Sequence, residues 1–382
     1  MAKAPIVTSV EVNEIEFEIK DVTTEPIIGI PIYEKGSSIQ RKAHVLRINT
    51  DAGITGEYFG GNAVEYAAIP GLARLLIGKN ALDRELFYND AKQALRQEAS
   101  MGRSQIDIAL WDIAGKLLDV PVHQLLGTYR KEFPCYASTY ISDFDPEGLS
   151  SAEAMADFAE QCFELGYPAF KIHPWMGQPL NKQIEMVAAV GKRMAGKMDL
   201  MLDPVCTYET FGDAVKVGKV CDEWGYYWYE DPLVEEDIYN YVKLKHKLDI
   251  PIMSTEYAPG RLYGMVQWIQ SYATDILRGD VAVTGGITPL IKIAHIAEGF
   301  GMKCEIHHGG NSLNNVANLH VMMAVHNCEF YEVFPATGAN KYGLVNDIEV
   351  DNKGLVYAPT EPGLGYEIDW DLVERDKVQV VS

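Results

Sequence analysis

The chain has no CxxC pair, and its six cysteines (Cys135, Cys162, Cys206, Cys221, Cys304 and Cys328) are scattered along it. Such spacing excludes a zinc ribbon or a disulfide frame and leaves them as small buried hydrophobes of a reduced compartment. No apolar run approaches the roughly 18 residues needed to span a bilayer, so no membrane partner is expected. The stretch MAKAPIVTSVEV has neither the basic start nor the apolar core of a signal peptide, which predicts a cytoplasmic location. Cations are scarce: 33 Lys and Arg face 54 Asp and Glu, a formal net charge of −21. A nucleic-acid binder must set excess cation against phosphate, so that role is excluded on sign. Nucleotide-binding glycine motifs are absent too, since RGDVAVTGGITP and YFGGN match neither GxxxxGK[ST] nor GxGxxG. HHGGN is not HExxH, and there is no GxSxG nucleophile elbow.

What is present is a globular composition, 47% apolar and 23% charged over 382 residues. That length suits two ordinary domains or one large barrel with an appendage. From about residue 133, β-rich runs alternate with helical ones: CYAST (135–139), AFKIHP (169–174), DLMLDP (199–204), YYWYEDP (226–232), PIMSTE (251–256), ILRGD (276–280), MKCEIH (302–307) and CEFYEVF (328–334). The first clear helix is expected to begin at Ser150, with Glu153 completing a capping box and Gly166 stopping it. Eight alternations predict an α/β fold, a (β/α)₈-type, TIM-like barrel over residues 133–344, because parallel neighbours need crossover helices. Residues 1–132 read as an α+β capping domain, with antiparallel strands joined by a loop near 21–40 and a helix in SQIDIALWDIAGKLLDV (104–120). Residues 345–382 are expected to pack back on it.

In such barrels the chemistry sits at the C-terminal ends of the strands. Lys171 and His173 end the second strand, two apart and so on one side. Asp203, Glu230 and Glu256 end the third, fourth and fifth, Asp280 the sixth and His307 the seventh, with Glu332 near the end of the eighth. A single strand-end acid is ordinarily just solvated. Three in series would repel one another unless a hard divalent cation, by default Mg²⁺, neutralised them. Asp280 and His307 on adjacent strands suit a dyad in which the carboxylate orients a general base. His308 should point to the other side, as a structural histidine. Lys171 is placed to share charge on a substrate carboxylate; His173 is a second acid or base, or a hydrogen-bond donor. Trp175, Tyr208 and Tyr257 are candidate pocket aromatics.

These residues together resemble the enolase superfamily in its mandelate racemase-like branch. The likeness runs through SQIDIALWDIAGKLLDVPVHQLLG, a Lys-x-His where the branch has Lys-x-Lys, the acids of LDP, YEDP and STE, the GD at 279–280, the IH at 306–307 and the EVF at 332–334. It implies one Mg²⁺ per active site, held by Asp203, Glu230 and Glu256, with Asp280–His307 as the base. It implies that Glu332 hydrogen-bonds an enediolate oxygen, helped by Lys171, and that a mobile loop near 21–40 closes over the barrel mouth. The shared step is removal of the proton α to a carboxylate, giving a metal-stabilised enediolate. Two departures are His173 for the second lysine and Val205, two residues after Asp203, where Asn is usual.

The first reading is therefore a dehydratase of an acid sugar, an aldonate or aldarate, working as a homo-oligomer on a small carboxylate substrate. A racemase, epimerase or lactone cycloisomerase using His173 and His307 is the alternative, and a non-catalytic carboxylate-binding barrel the third. Specificity is expected to sit in the 21–40 loop and in YFGGN.

Overall fold

The computed structural model describes residues 4–26, 29–96, 102–139, 149, 151–175, 177–309, 313–335 and 341–381. Two sheets organise it. The first is a meander of β1 (Val7–Thr24), β2 (Pro31–Thr50) and β3 (Thr55–Gly60), paired antiparallel. The pairing runs on through Val22↔Tyr33 to Thr24↔Pro31, so most of the expected 21–40 loop is strand. Gly36 and Ser37 sit inside an irregularity of that ladder, where the register steps from Lys20↔Ser38 to Val22↔Tyr33 and Gly36 N donates to Asp21 Oδ1 at 2.9 Å. Beyond the Thr24↔Pro31 pair, Glu25 N–H donates to Ile30 O at 2.9 Å.

The helix Arg103–Leu118 packs on this sheet along an almost wholly buried length. Its Asp112 carboxylate accepts from Glu57 N at 3.0 Å and from Leu364 N at 2.9 Å, tying β3 and the C-terminal segment to one side chain.

The second sheet holds eight parallel strands: β4 (Glu132–Ser138), β5 (Ala169–Ile172), β6 (Asp199–Leu202), β7 (Trp228–Glu230), β8 (Ile252–Ser254), β9 (Ile276–Gly279), β10 (Lys303–Ile306) and β11 (Tyr331–Val333). Each falls within or overlaps an expected run. Helices alternate with them, including Ala152–Glu164, Leu180–Met194, Phe211–Trp224, Ile287–Gly299 and Leu313–Ala324. The first of these is capped by Ser151, whose Oγ accepts from Ala154 N at 3.1 Å. The expected cap, Ser150, lies outside the described residues; the cap is one residue later because Ser151 is the serine three before a free helical N–H.

Hydrogen bonding runs unbroken from β10 through β9, β8, β7, β6, β5 and β4 to β11. Among the described residues no ladder joins β10 to β11, so the sheet is curled and open at that seam, not the closed ring expected. Its curl is visible in one apolar cluster that collects Tyr136, Ala169, Met201, Trp228, Met253, Ile276 and Phe330 from all round the sheet. A short β12 (Leu355–Tyr357) adds antiparallel to β4, and β13 (Lys377–Val381) returns to pair with β1. No helix among the described residues is long and apolar enough to cross a membrane.

Candidate active site

Side chains on one face of a strand recur every second residue. Two residues beyond the apolar floor, the same face therefore presents Lys171 above Ala169, Asp203 above Met201, Glu230 above Trp228, Arg278 above Ile276 and Glu332 above Phe330. Four of these close into an alternating ring of charge. Lys171 Nζ stands 3.0 Å from Glu230 and 2.9 Å from Glu332; Arg278 stands 2.8 Å from Glu230 through Nε and 2.9 Å from Glu332 through an Nη. All four are buried. Burial alone would push the Lys171 ammonium down, but Glu230 and Glu332 outweigh it and hold it well above its usual range. Glu332 is pushed up by burial and more strongly down by Lys171 and Arg278, so it stays ionised. Both its oxygens face cations, and one also accepts from His308 N at 3.3 Å. An ionised carboxylate has no proton to give, and Glu332 here accepts from Lys171 and Arg278. Arg278 was not among the expected site residues. Its signal was available: an arginine two residues before Asp280 in an otherwise apolar strand must share that aspartate's face.

Glu256 follows a break in the strand. Thr255 holds φ +99°, a conformation costing on the order of 1–3 kcal/mol for a β-branched residue. Its hydroxyl donates to Arg278 O at 3.1 Å and accepts from Arg278 N at 3.0 Å, which pins the turn. Glu230, Asp231 and Glu256 each offer an oxygen within 4.8 Å of the others. Asp203 is not in that tightest group: its Oδ2 faces Lys171 at 3.4 Å and His173 at 3.0 Å, and its Oδ1 accepts from Val205 N at 2.8 Å. Val205 takes φ +52°, a left-handed conformation that asparagine tolerates better than valine. Counting these groups, five carboxylates (Asp203, Glu230, Asp231, Glu256 and Glu332) meet two permanent cations. Burial, outweighing the partial relief from His307, pushes Glu256 up to about 7. An oxygen-only donor set with surplus negative charge fits a hard divalent cation such as Mg²⁺.

His307 Nδ1 lies 3.1 Å from Asp280 Oδ2 and 3.4 Å from Glu256 Oε1. Burial pushes its imidazole down, but Glu256 and Asp280 more than offset this and bring it to about 9. Asp280 is pushed up by burial, yet the His307 contact, Ala282 N and Asn318 hold it below its usual range. A Cβ at position 309 would meet His307 Nε2 at 2.5 Å, so glycine there leaves that nitrogen accessible. His308 goes the other way, as expected. It is fully buried against Tyr331, ring centroids 4.0 Å apart, and burial pushes it down to about 3.

On the opposite flank, His173 has an orienting carboxylate that its sequence neighbours do not reveal. Nε2 faces Asp203, and Nδ1 is in close contact with Thr139 O. The ring thus has an acceptor beside each nitrogen, and the Ser138 hydroxyl lies 3.4 Å from Nδ1 as well. Its ring lies parallel to Phe334 with centroids 6.2 Å apart, and Phe334 packs with Ile19 and Val22 of β1, which brings the long hairpin over this side. Of the expected pocket aromatics, Trp175 is buried and bonded to Leu149 O, Tyr208 is buried near Tyr229, and Tyr257 is exposed beside Glu256.

Residues 154–372 match the model of the enolase C-terminal domain-like family, and residues 19–127 match the N-terminal domain of mandelate racemase / muconate lactonizing enzyme. The chain belongs to the mandelate racemase / muconate lactonizing enzyme family. Among its relatives in that family is the D-galactarolactone cycloisomerase of Agrobacterium fabrum, 30% identical over 90% of this chain and 94% of the relative. The D-xylonate dehydratase of Haloferax volcanii is 28% identical over 88% of this chain and 85% of that protein. A solved family structure, D-glucarate dehydratase from Agrobacterium tumefaciens complexed with magnesium, superposes with a TM-score of 0.90 at 31% identity, covering 99% of this chain and all of that one.

Proposed function

We propose that this protein dehydrates an acid sugar, an aldonate or aldarate, with one Mg²⁺ per active site. The observation that carries the reading is the unequal pair of imidazoles: His307, set by an ionised Asp280, and His173, with an acceptor on each nitrogen. His307 Nε2 takes the proton α to the substrate carboxylate, leaving an enediolate. His173, as the imidazolium, gives its proton to the departing β-hydroxyl, and water leaves. The enol then tautomerises to a 2-keto-3-deoxy acid, so one water is lost and the proton count closes. Lys171 lends charge to the carboxylate oxygen, and Glu332 with Arg278 holds Lys171 and Glu230 in place. Asp203, Glu230 and Glu256 would hold the cation, which when bound supplies positive charge beside the substrate carboxylate and offsets the surplus acidity.

The reading is supported by relatives named as dehydratases of D-xylonate, arabinonate and D-gluconate/D-galactonate. We assign residues 1–132, with 345–382 against them, to the capping domain and 133–344 to a (β/α)₈-type barrel. Glu305 supports that assignment at the open seam. Its carboxylate accepts from Glu329 N at 2.9 Å and Phe330 N at 3.3 Å, where a β10–β11 ladder would otherwise run. The test of function is a panel of acid sugars with Mg²⁺ in D₂O. Keto-deoxy acid as main product upholds the proposal. A deuterated α-epimer or an opened lactone replaces it with the isomerase reading, for which the cycloisomerase relative is the precedent.

A further inference from the structure

The carboxylate that sets His307 is itself held by groups the reaction never touches. Asp280 Oδ1 accepts from Ala282 N at 2.6 Å and from Asn314 Nδ2 at 3.2 Å. Its Oδ2, the oxygen facing His307, accepts from Asn318 Nδ2 at 2.9 Å and again from Asn314 at 3.2 Å. Asn314 and Asn318 are four apart on the helix Leu313–Ala324, so both amides leave the same face. Both are buried. An amide has two different ends, and each here is fixed by a partner at its far end. Asn318 Oδ1 accepts from Val281 N at 2.9 Å, and its nitrogen also reaches His307 O at 2.8 Å. Asn314 Oδ1 accepts from the hydroxyl of Tyr58 at 3.2 Å. Tyr58 lies on β3, in the antiparallel sheet, 256 residues away in sequence, and is itself buried.

We infer that Tyr58, Asn314 and Asn318 are positioning residues that lock the Asp280 carboxylate in rotation and so aim His307, making the antiparallel sheet part of the device that sets the base. Without the Tyr58 hydroxyl, the Asn314 amide loses the partner that distinguishes its oxygen from its nitrogen. The flipped amide would set an oxygen against the Asp280 carboxylate. Without either amide, the carboxylate is free to turn Oδ2 away from the imidazole. The inference rests on the reading that His307 is the base.

Tyr58→Phe removes one hydroxyl and nothing else. It should lower kcat by up to about tenfold, the low end of what is lost when a partner directly behind a working group is removed, because Tyr58 reaches His307 only through Asn314 and Asp280; KM and Mg²⁺ affinity by calorimetry should each change less than about twofold. The solvent exchange of the substrate α-proton should fall by the same factor. Asn314→Ala should lose more, about 100-fold, and the double variant should be no worse than Asn314→Ala alone. In ¹⁵N-histidine-labelled protein, the downfield proton of His307 Nδ1 should be sharp in the wild type and broadened or shifted upfield in Tyr58→Phe. A folded Tyr58→Phe with unchanged kcat and unchanged His307 resonance overturns the inference. So do effects of Tyr58→Phe and Asn314→Ala that simply multiply. If the wild type turns over and exchanges no acid sugar, the functional reading fails instead, and the histidine resonance still decides the positioning.

Discussion

The β9–β10 side and the β5–β6 side of the sheet each set a histidine against a strand-end aspartate, yet the two pairs are built differently. On the first, Asp280 has, among the described residues, four hydrogen bonds besides the imidazole and no Lys or Arg against it. It is reserved for His307. On the second, Asp203 is shared among His173, Lys171 and a backbone amide. The Thr139 carbonyl is in close contact with the far nitrogen of His173, so that ring has an acceptor at each end. A base needs a dedicated carboxylate to stabilise the charge it acquires; an acid needs acceptors that keep it charged until used. The asymmetry thus argues for two different tasks on the two flanks, which elimination requires and racemisation does not.

The largest expected effect strikes both sides at once. Exhaustive chelation should abolish turnover, and added Mg²⁺ should restore it. Glu230→Gln should lose Mg²⁺ binding by calorimetry while far-UV circular dichroism stays native. Full turnover by metal-free protein would break the premise that the two flanks serve one cation-centred site.

Next in size is the base. His307→Asn should cost at least about 10²–10⁴-fold in kcat, with α-proton exchange lost in step. Asp280→Asn should be impaired to a similar degree, because the imidazole loses its dedicated partner. On the other flank, His173→Ala should slow keto-acid formation by about 10–100-fold yet leave His307-dependent exchange of the α-proton measurable by NMR in D₂O. If His173→Ala abolishes exchange as completely as His307→Asn, the flanks are equivalent and the comparison collapses toward a two-base isomerase.

The groups on both flanks are legible in the sequence, whereas the carboxylate beside His173 is not. The strand ends announced themselves because a period-2 apolar run that stops at a lone Asp, Glu or His has few other uses for it, and all eight named groups do converge on one sheet. Less legible was what holds them. Arg278 was absorbed into the apolar run ILRGD, although its register places it beside Glu230 and Glu332. Asn314 and Asn318 carry no local signal of their role, since what they face is Asp280, 34 and 38 residues upstream. Tyr58 is beyond reach of local reasoning altogether: its partner is fixed only when the two sheets meet. The 21–40 segment misled for a physical reason as well. Around the irregularity the stretch Glu34–Ser38 is mostly exposed and carries no apolar alternation, so its glycine and serines read as loop although Val22 and Ile32 nearby are buried.

The smallest effect separates neighbours, His307 and His308, and concerns stability rather than rate. His307 is drawn up to about 9 by the carboxylates around it, whereas His308, one residue on, is pushed down to about 3 because burial against Tyr331 outweighs the attraction of Glu332. Among the described residues neither His308 ring nitrogen has a hydrogen-bond partner. A depressed folded-state value means that the unfolded chain takes up a proton near 6.5 while the native state refuses it until about 3. Stability that is complete above 6.5 is therefore lost as the pH falls through that window, by about 2 kcal/mol at pH 5 for this one group. His320, buried on the Leu313–Ala324 helix and likewise pushed to about 3, loses stability in the same direction, so wild type alone cannot isolate the term. His308→Phe keeps a ring against Tyr331 and removes the proton site. Urea unfolding of both proteins at pH 7 and pH 5 should then show the variant losing about 2 kcal/mol less than the wild type between the two. Equal losses would mean that His308 accepts a proton in the folded state. It would then belong with His307 on the charged side of the sheet, not beneath it.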